Sequence, residues 1–185
     1  MSVTFMPVAL MAGALALPLA ARVSAGRTLA AFGLGTLTAV GASAAGYTQT
    51  VVNQQASVGA VYTSGQVFET FLANVGNMFL DGPASLGVII AIALGCGFLA
   101  AGLVRRFIQI SAYLIYPAAG AVAIMTAFIA AESAFNILLE GNPGFSKGRL
   151  IFLSGAQGVS GSALQGIAGA LGGLLFTFLR TSGRR

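Results

Sequence analysis

Two long apolar segments, Ala84–Val104 and Phe107–Ala131, follow one another with only Arg105 and Arg106 between them. Each is about as long as a helix must be to cross a hydrocarbon core of roughly 30 Å. No other charge lies between Asp81 and Glu132. The pattern predicts a transmembrane helical hairpin, with Arg105 and Arg106 at its tip setting the topology by facing the cytoplasm.

The rest of the chain is consistent with such a hairpin. Of 185 residues, 57% are hydrophobic and 7% charged, where a soluble domain carries about 25% charged residues. Nine basic and four acidic side chains cannot cover a soluble surface of this length. The expectation is an all-α, polytopic transmembrane helix bundle, one integral membrane domain over residues 1–185. The predicted spans are 3–20, 28–47, 84–104, 107–131 and 155–179, with an outer amphipathic interfacial helix over 66–80.

Net charge +5 raises the question of nucleic acid. The basic residues stand in ones and twos beside apolar runs, with no basic stripe interleaved with aromatics. Positive-inside topology explains them better, so no nucleic-acid partner is expected.

Taken in order, Val3–Ala20 reads as a retained helix, since no Lys or Arg precedes Arg22 to form the charged start of a signal peptide; the rival reading is such a peptide, with Val23-Ser24-Ala25 resembling its small-residue cleavage site. Thr28–Tyr47 is rich in small residues. Gly35, Ala39 and Ser43 recur at four-residue spacing, and Gly41 with Ala45 forms a second row. Such rows let membrane helices approach closely. Thr48–Gly65 is polar and uncharged; it can extend the helix for a turn or two before breaking at Gly59 or Gly65.

Gln66–Leu80 has the clearest amphipathic pattern. Val67, Phe68, Phe71, Leu72, Val75, Met78 and Phe79 fall on one helical face, and Gln66, Glu69, Thr70, Asn74 and Asn77 on the other. It is too short and too polar on one side to span. Interfacial anchors carry Lys and Arg on the polar face, and this one has none. Phe68, Phe71, Leu72 and Phe79 are therefore candidates for contact with a protein partner.

Asp81-Gly82-Pro83 reads as a helix start. In the span that follows, Gly87, Ala91 and Gly95 line one side, while Ala93, Gly97 and Ala101 line another. Small residues on two sides predict a helix in the interior of the bundle, with Cys96 as a small packing residue. Pro117 falls near the middle of 107–131 and predicts a kink. With Tyr113 and Tyr116 it forms a candidate polar notch. In the last apolar run, Gly155, Gly158, Ser160 and Gly161 allow either one long helix or a loop followed by a helix from about Ser162. Gly166, Gly169 and Gly173 are candidate packing positions, the last two as a GxxxG pair.

Five spans place Arg22, Arg27, Arg105, Arg106, Arg180, Arg184 and Arg185 inside. Glu69, Asp81, Glu132 and Glu140 fall outside. The N-terminus is then external and the C-terminus cytoplasmic, in a bacterial inner membrane. Lys147 and Arg149 are the exceptions, on the outer side.

The chemistry available is sparse. There is no histidine and one cysteine, which removes the commonest ligands for zinc and haem and the usual general base. Phosphate-binding loops of the GxxxxGK[ST] type are absent. No catalytic residue, cofactor site or metal site is assigned. The predicted function is that of a non-catalytic accessory or assembly subunit of a membrane complex, in contact with lipid and with a membrane protein or with copies of itself. The alternative is a small homo-oligomeric channel or facilitator.

Overall fold

The structure, a computed structural model, describes residues 25–80, 85–140 and 158–182, with side chains described over 26–79, 85–131 and 161–182. Every regular element within these ranges is a helix: α1 Ala25–Ser57, α2 Ser64–Leu80, α3 Leu86–Phe107, α4 Ala112–Glu140 and α5 Gly158–Thr181. Four of them, all but α2, are long and apolar enough to cross a membrane. The predicted first span, 3–20, lies outside the described residues, as does the Gly155 break.

The helix ends follow local chemistry. α1 runs ten residues past the predicted end at Tyr47, because nothing between Thr48 and Ser57 breaks a helix. It stops where Gly59 takes φ +89, a left-handed conformation open to glycine. There the Ala60 amide donates to the Gln55 carbonyl at 3.0 Å and the Gly59 amide to the Ala56 carbonyl at 3.1 Å. These two bonds close the helix with a Schellman motif. α2 begins two residues earlier than the amphipathic pattern places it. The Thr63 amide donates to Gln66 Oε1 at 2.9 Å and the Gln66 amide to Thr63 Oγ1 at 3.4 Å, which is a reciprocal capping box.

The arginine pair does not interrupt the chain as predicted. α3 continues through Arg105 and Arg106 to Phe107, and the chain turns extended at Ile108 (φ −125, ψ 128). Arginine is a good helix former and its charge suits the carbonyl end of a helix, so the connection is 108–111. The predicted helix start at Asp81-Gly82-Pro83 lies outside the described residues; the N-cap residue of α3 is Ser85, at φ −60 and ψ 139. Since α4 begins at Ala112, Pro117 is the sixth residue of the helix and not near its middle.

The long helices pack antiparallel. Arg27, Gly35 and Ser43 of α1 meet Leu179, Gly172 and Gln165 of α5 in reverse order. Tyr113, Gly120 and Met125 of α4 likewise meet Thr181, Gly169 and Gly166. α3 runs back along α4, with Gly97 on Ala119 and Ala123 and Gly102 near the Tyr116 hydroxyl. The helix ends bearing Arg27, Arg105, Arg106 and Arg180 therefore gather at one end of the bundle.

The interior helix is α5, not α3. Of the window that could span, 44% of α5 is buried and 33% of α3. α5 presents Gly172 to α1 and Gly166, Gly169 and Gly173 to α4. α3 keeps Leu94, Gly95 and Phe98 buried but exposes Val88, Ile92, Leu103 and Cys96. Cys96 is thus not an interior packing residue.

Candidate functional site

Helix association is the one property that brings the sequence-singled residues together. On the α1 side of α5, a Cβ placed on Gly35 would lie 2.8 Å from the Gly172 carbonyl oxygen. One placed on Gly172 would lie 2.7 Å from the Gly35 carbonyl and 3.0 Å from Ala39 Cβ. On the α4 side, Gly120 and Gly169 are opposed in the same way, each against the other's carbonyl oxygen. A Cβ placed on Gly173 would meet the Tyr116 carbonyl and lie 2.8 Å from Pro117 Cα, and one placed on Gly166 would lie 3.0 Å from Met125 Sδ. Backbones this close gain dispersion contacts that a larger side chain would exclude, the main attraction available between helices in lipid.

One buried polar pair crosses the α1–α5 seam. Ser43 Oγ donates to Gln165 Oε1 at 2.5 Å, with both residues buried. Further along α1, Asn74 Nδ2 of α2 donates to Thr48 Oγ1 at 2.9 Å, and Thr48 Oγ1 donates to the Ala44 carbonyl at 2.8 Å. Each bond satisfies a polar group that lipid would leave unpaired.

At the arginine end of the seam, four helices contribute to one aromatic cluster. The Phe98 and Phe176 rings stack at 4.6 Å between centroids; Tyr116 meets them edge-on at 5.8 Å and 5.1 Å, and Phe32 meets Phe98 at 6.3 Å. Arg180 lies 5.5 Å from the Tyr116 ring centre and 5.8 Å from that of Phe176, and its Nη1 donates to the Tyr116 hydroxyl. Cation–π attraction holds the guanidinium there. Arg27 Nε donates to the Leu179 carbonyl at 3.2 Å, satisfying one of the carbonyls that a helix end leaves open.

No protein family, curated protein or solved structure matches the chain.

The predicted sites fare differently from one another. Gly35, Ala39 and Ser43 are buried and Gly35 and Ser43 face α5, whereas Ala45 of the second row is exposed and Gly41 has open space around it. Gly87 packs on α2, under Phe79 and the Met78 carbonyl; Gly95 is buried and Ala91 half-buried. The two tyrosines of the candidate notch differ in burial, and both meet the end of α5, at Arg180 and Thr181. Tyr116 is buried in the aromatic cluster, while Tyr113 is exposed and shares a 2.8 Å hydrogen bond with Thr181 Oγ1. The partner face also divides. Phe71, Val75 and Met78 pack on the core, and Phe68, Leu72 and Phe79 are exposed. Asn74, placed on the polar face by periodicity, turns to Thr48.

Sequence reasoning did not single out Gly120, Gly172, Gln165 or the Phe98–Phe176 stack. Gln165 had a legible signal, an amide alone in an apolar helix. Gly120 and Gly172 had none that set them apart from the chain's other glycines, since their role is defined by the residue opposite. Among the described residues no group of three His, Cys, Asp or Glu could hold a metal ion.

Proposed function

We propose that the protein is a non-catalytic subunit of a bacterial inner-membrane complex, acting by helix-to-helix association through small-residue faces. The long apolar helices support a membrane location, and the arginines at one bundle end support a cytoplasmic placement of that end. The N-terminus then lies outside and the C-terminus inside, with Val3–Ala20 as a fifth span.

The observation that carries this reading is the outer face of α2. One side of α2 is already committed to the bundle through Phe71, Val75, Met78 and Asn74. The other leaves Phe68 60% and Leu72 52% exposed, one turn apart, with Glu69 beside them. No basic residue lies in α2, so attraction to anionic lipid does not account for that ridge. A partner helix or subunit would bury it, at roughly 1.5–3 kcal/mol for each large apolar side chain. The Ser43–Gln165 pair, buried and mutually satisfied, serves helix association rather than passage of a solute, and ranks the subunit reading above a channel.

The test is purification in mild detergent, with Phe68→Ser, Leu72→Ser compared with the parent. A stoichiometric partner that the double variant loses, while its own fold persists, supports the proposal. A homo-oligomer that conducts in liposomes would replace it with the channel reading.

A further inference from the structure

The turn between α3 and α4 combines two features that water alone does not accommodate. Phe107 is 86% exposed, and Ile108 of the connection and Leu114 in the first turn of α4 are exposed too. Arg105 and Arg106, in the turn immediately before, are exposed as well. Arg105 Nε donates to the Ile110 carbonyl at 3.3 Å, which ties the guanidinium to the connection and uses one of its five N–H donors. α4 starts at the same place. The Leu114 and Ile115 amides of its first turn donate to the Ser111 carbonyl, and the amino end of the helix adds positive potential. Among the described side chains the single acid, Glu69, belongs to α2, at the other end of the bundle.

We propose that this tip is a binding site for the phosphate headgroup of an anionic phospholipid. Arg105 and Arg106 hold the phosphate, and Phe107, Ile108 and Leu114 lie among the upper acyl carbons. The inference rests on the membrane-spanning reading, which brings the tip to headgroup level. Charge complementarity selects the occupant: two adjacent guanidiniums offer forked donors that match phosphate oxygens. The apolar residues around them require a ligand with a hydrocarbon body, which free phosphate lacks.

The experiment uses the full chain in bilayer nanodiscs of phosphatidylcholine, with and without phosphatidylglycerol, and counts the lipids retained after mild detergent extraction by native mass spectrometry. Phosphatidylglycerol should be retained in preference. Arg105→Gln, Arg106→Gln should lower that preference by roughly thirtyfold, and Arg105→Lys, Arg106→Lys should keep part of it, the charge without the fork, which guards against a variant that simply misfolds. Equal retention of the two lipids by a properly inserted protein would overturn the site. So would displacement of the lipid by inorganic phosphate, which would make it a free-anion site, or a co-purifying protein lost with the arginines. A protein stripped from both bilayers by alkaline carbonate would instead overturn the membrane-spanning reading itself.

Discussion

Gly120 and Gly169 oppose each other so closely that a methyl group on either would enter the other's carbonyl oxygen. Backbone cannot move aside as a side chain can, so Gly169→Ala should destabilise the bundle by ~1–3 kcal/mol. Gly33→Ala is the matched control: nothing lies within 4 Å of its added methyl, and helix propensity favours the change by up to ~1 kcal/mol. Thermal unfolding of both variants in one detergent makes the comparison; equal midpoints would contradict the packing described. The Ser43–Gln165 bond calls for a double-mutant cycle. Ser43→Ala and Gln165→Leu should be coupled by about 0.6 kcal/mol, the average for hydrogen bonds between membrane helices, and by no more than about 1.7 kcal/mol. Additive losses would mean that the two side chains stabilise the bundle independently.

At the scale of the element, α2 joins the bundle by one face and leaves the other open. Tyr62 donates to Gln55 and Asn74 to Thr48, so the chain leaves α1 at Gly59 and α2 returns along the outer end of α1. Phe71→Ser strikes the inward face and should lower bundle stability by roughly 1.5–3 kcal/mol, measured on the protein alone. Phe68→Ser should leave that stability nearly unchanged. If both substitutions shift the unfolding midpoint equally, the division of the α2 face into an inner and an outer side is wrong. α4 shows a related effect of position. Pro117 lacks the amide that would reach the Tyr113 carbonyl, but this close to the helix start it removes a single bond.

For the whole molecule, antiparallel packing gathers the described arginines at one end. Reporter fusions after Arg106 and after Arg185 should both read cytoplasmic, and an insertion at 58–63 should read external. A cytoplasmic signal from 58–63 would invert the bundle and remove the basis for an inner arginine end. Arg27 and Arg180 add an internal check. Both are tied to the end of α5, by the Leu179 carbonyl and by the Tyr116 hydroxyl, so Arg180→Leu should loosen the aromatic cluster and show in near-ultraviolet circular dichroism.

What the sequence by itself determined was an all-helical chain and the approximate places of the four described helices that are long and apolar enough to cross a membrane. Hydropathy adds up along a chain, and a lipid core demands that each segment satisfy its own backbone. The small-residue rows were legible for the same local reason, and so were the amphipathic period of α2 and the candidacy of Gly59 as a breaker. Only the tertiary structure decided which rows are used. Gly35 and Gly172 become contact residues because each faces the other, while Gly33 and Gly41 have the same chemistry and face open space. The same holds for α5 in place of α3 as the interior helix, for Tyr116 differing in burial from Tyr113, and for Asn74 turning to Thr48. A helix face carries its composition in its own sequence, but its neighbour is written in another helix, and periodicity within one segment does not contain that pairing.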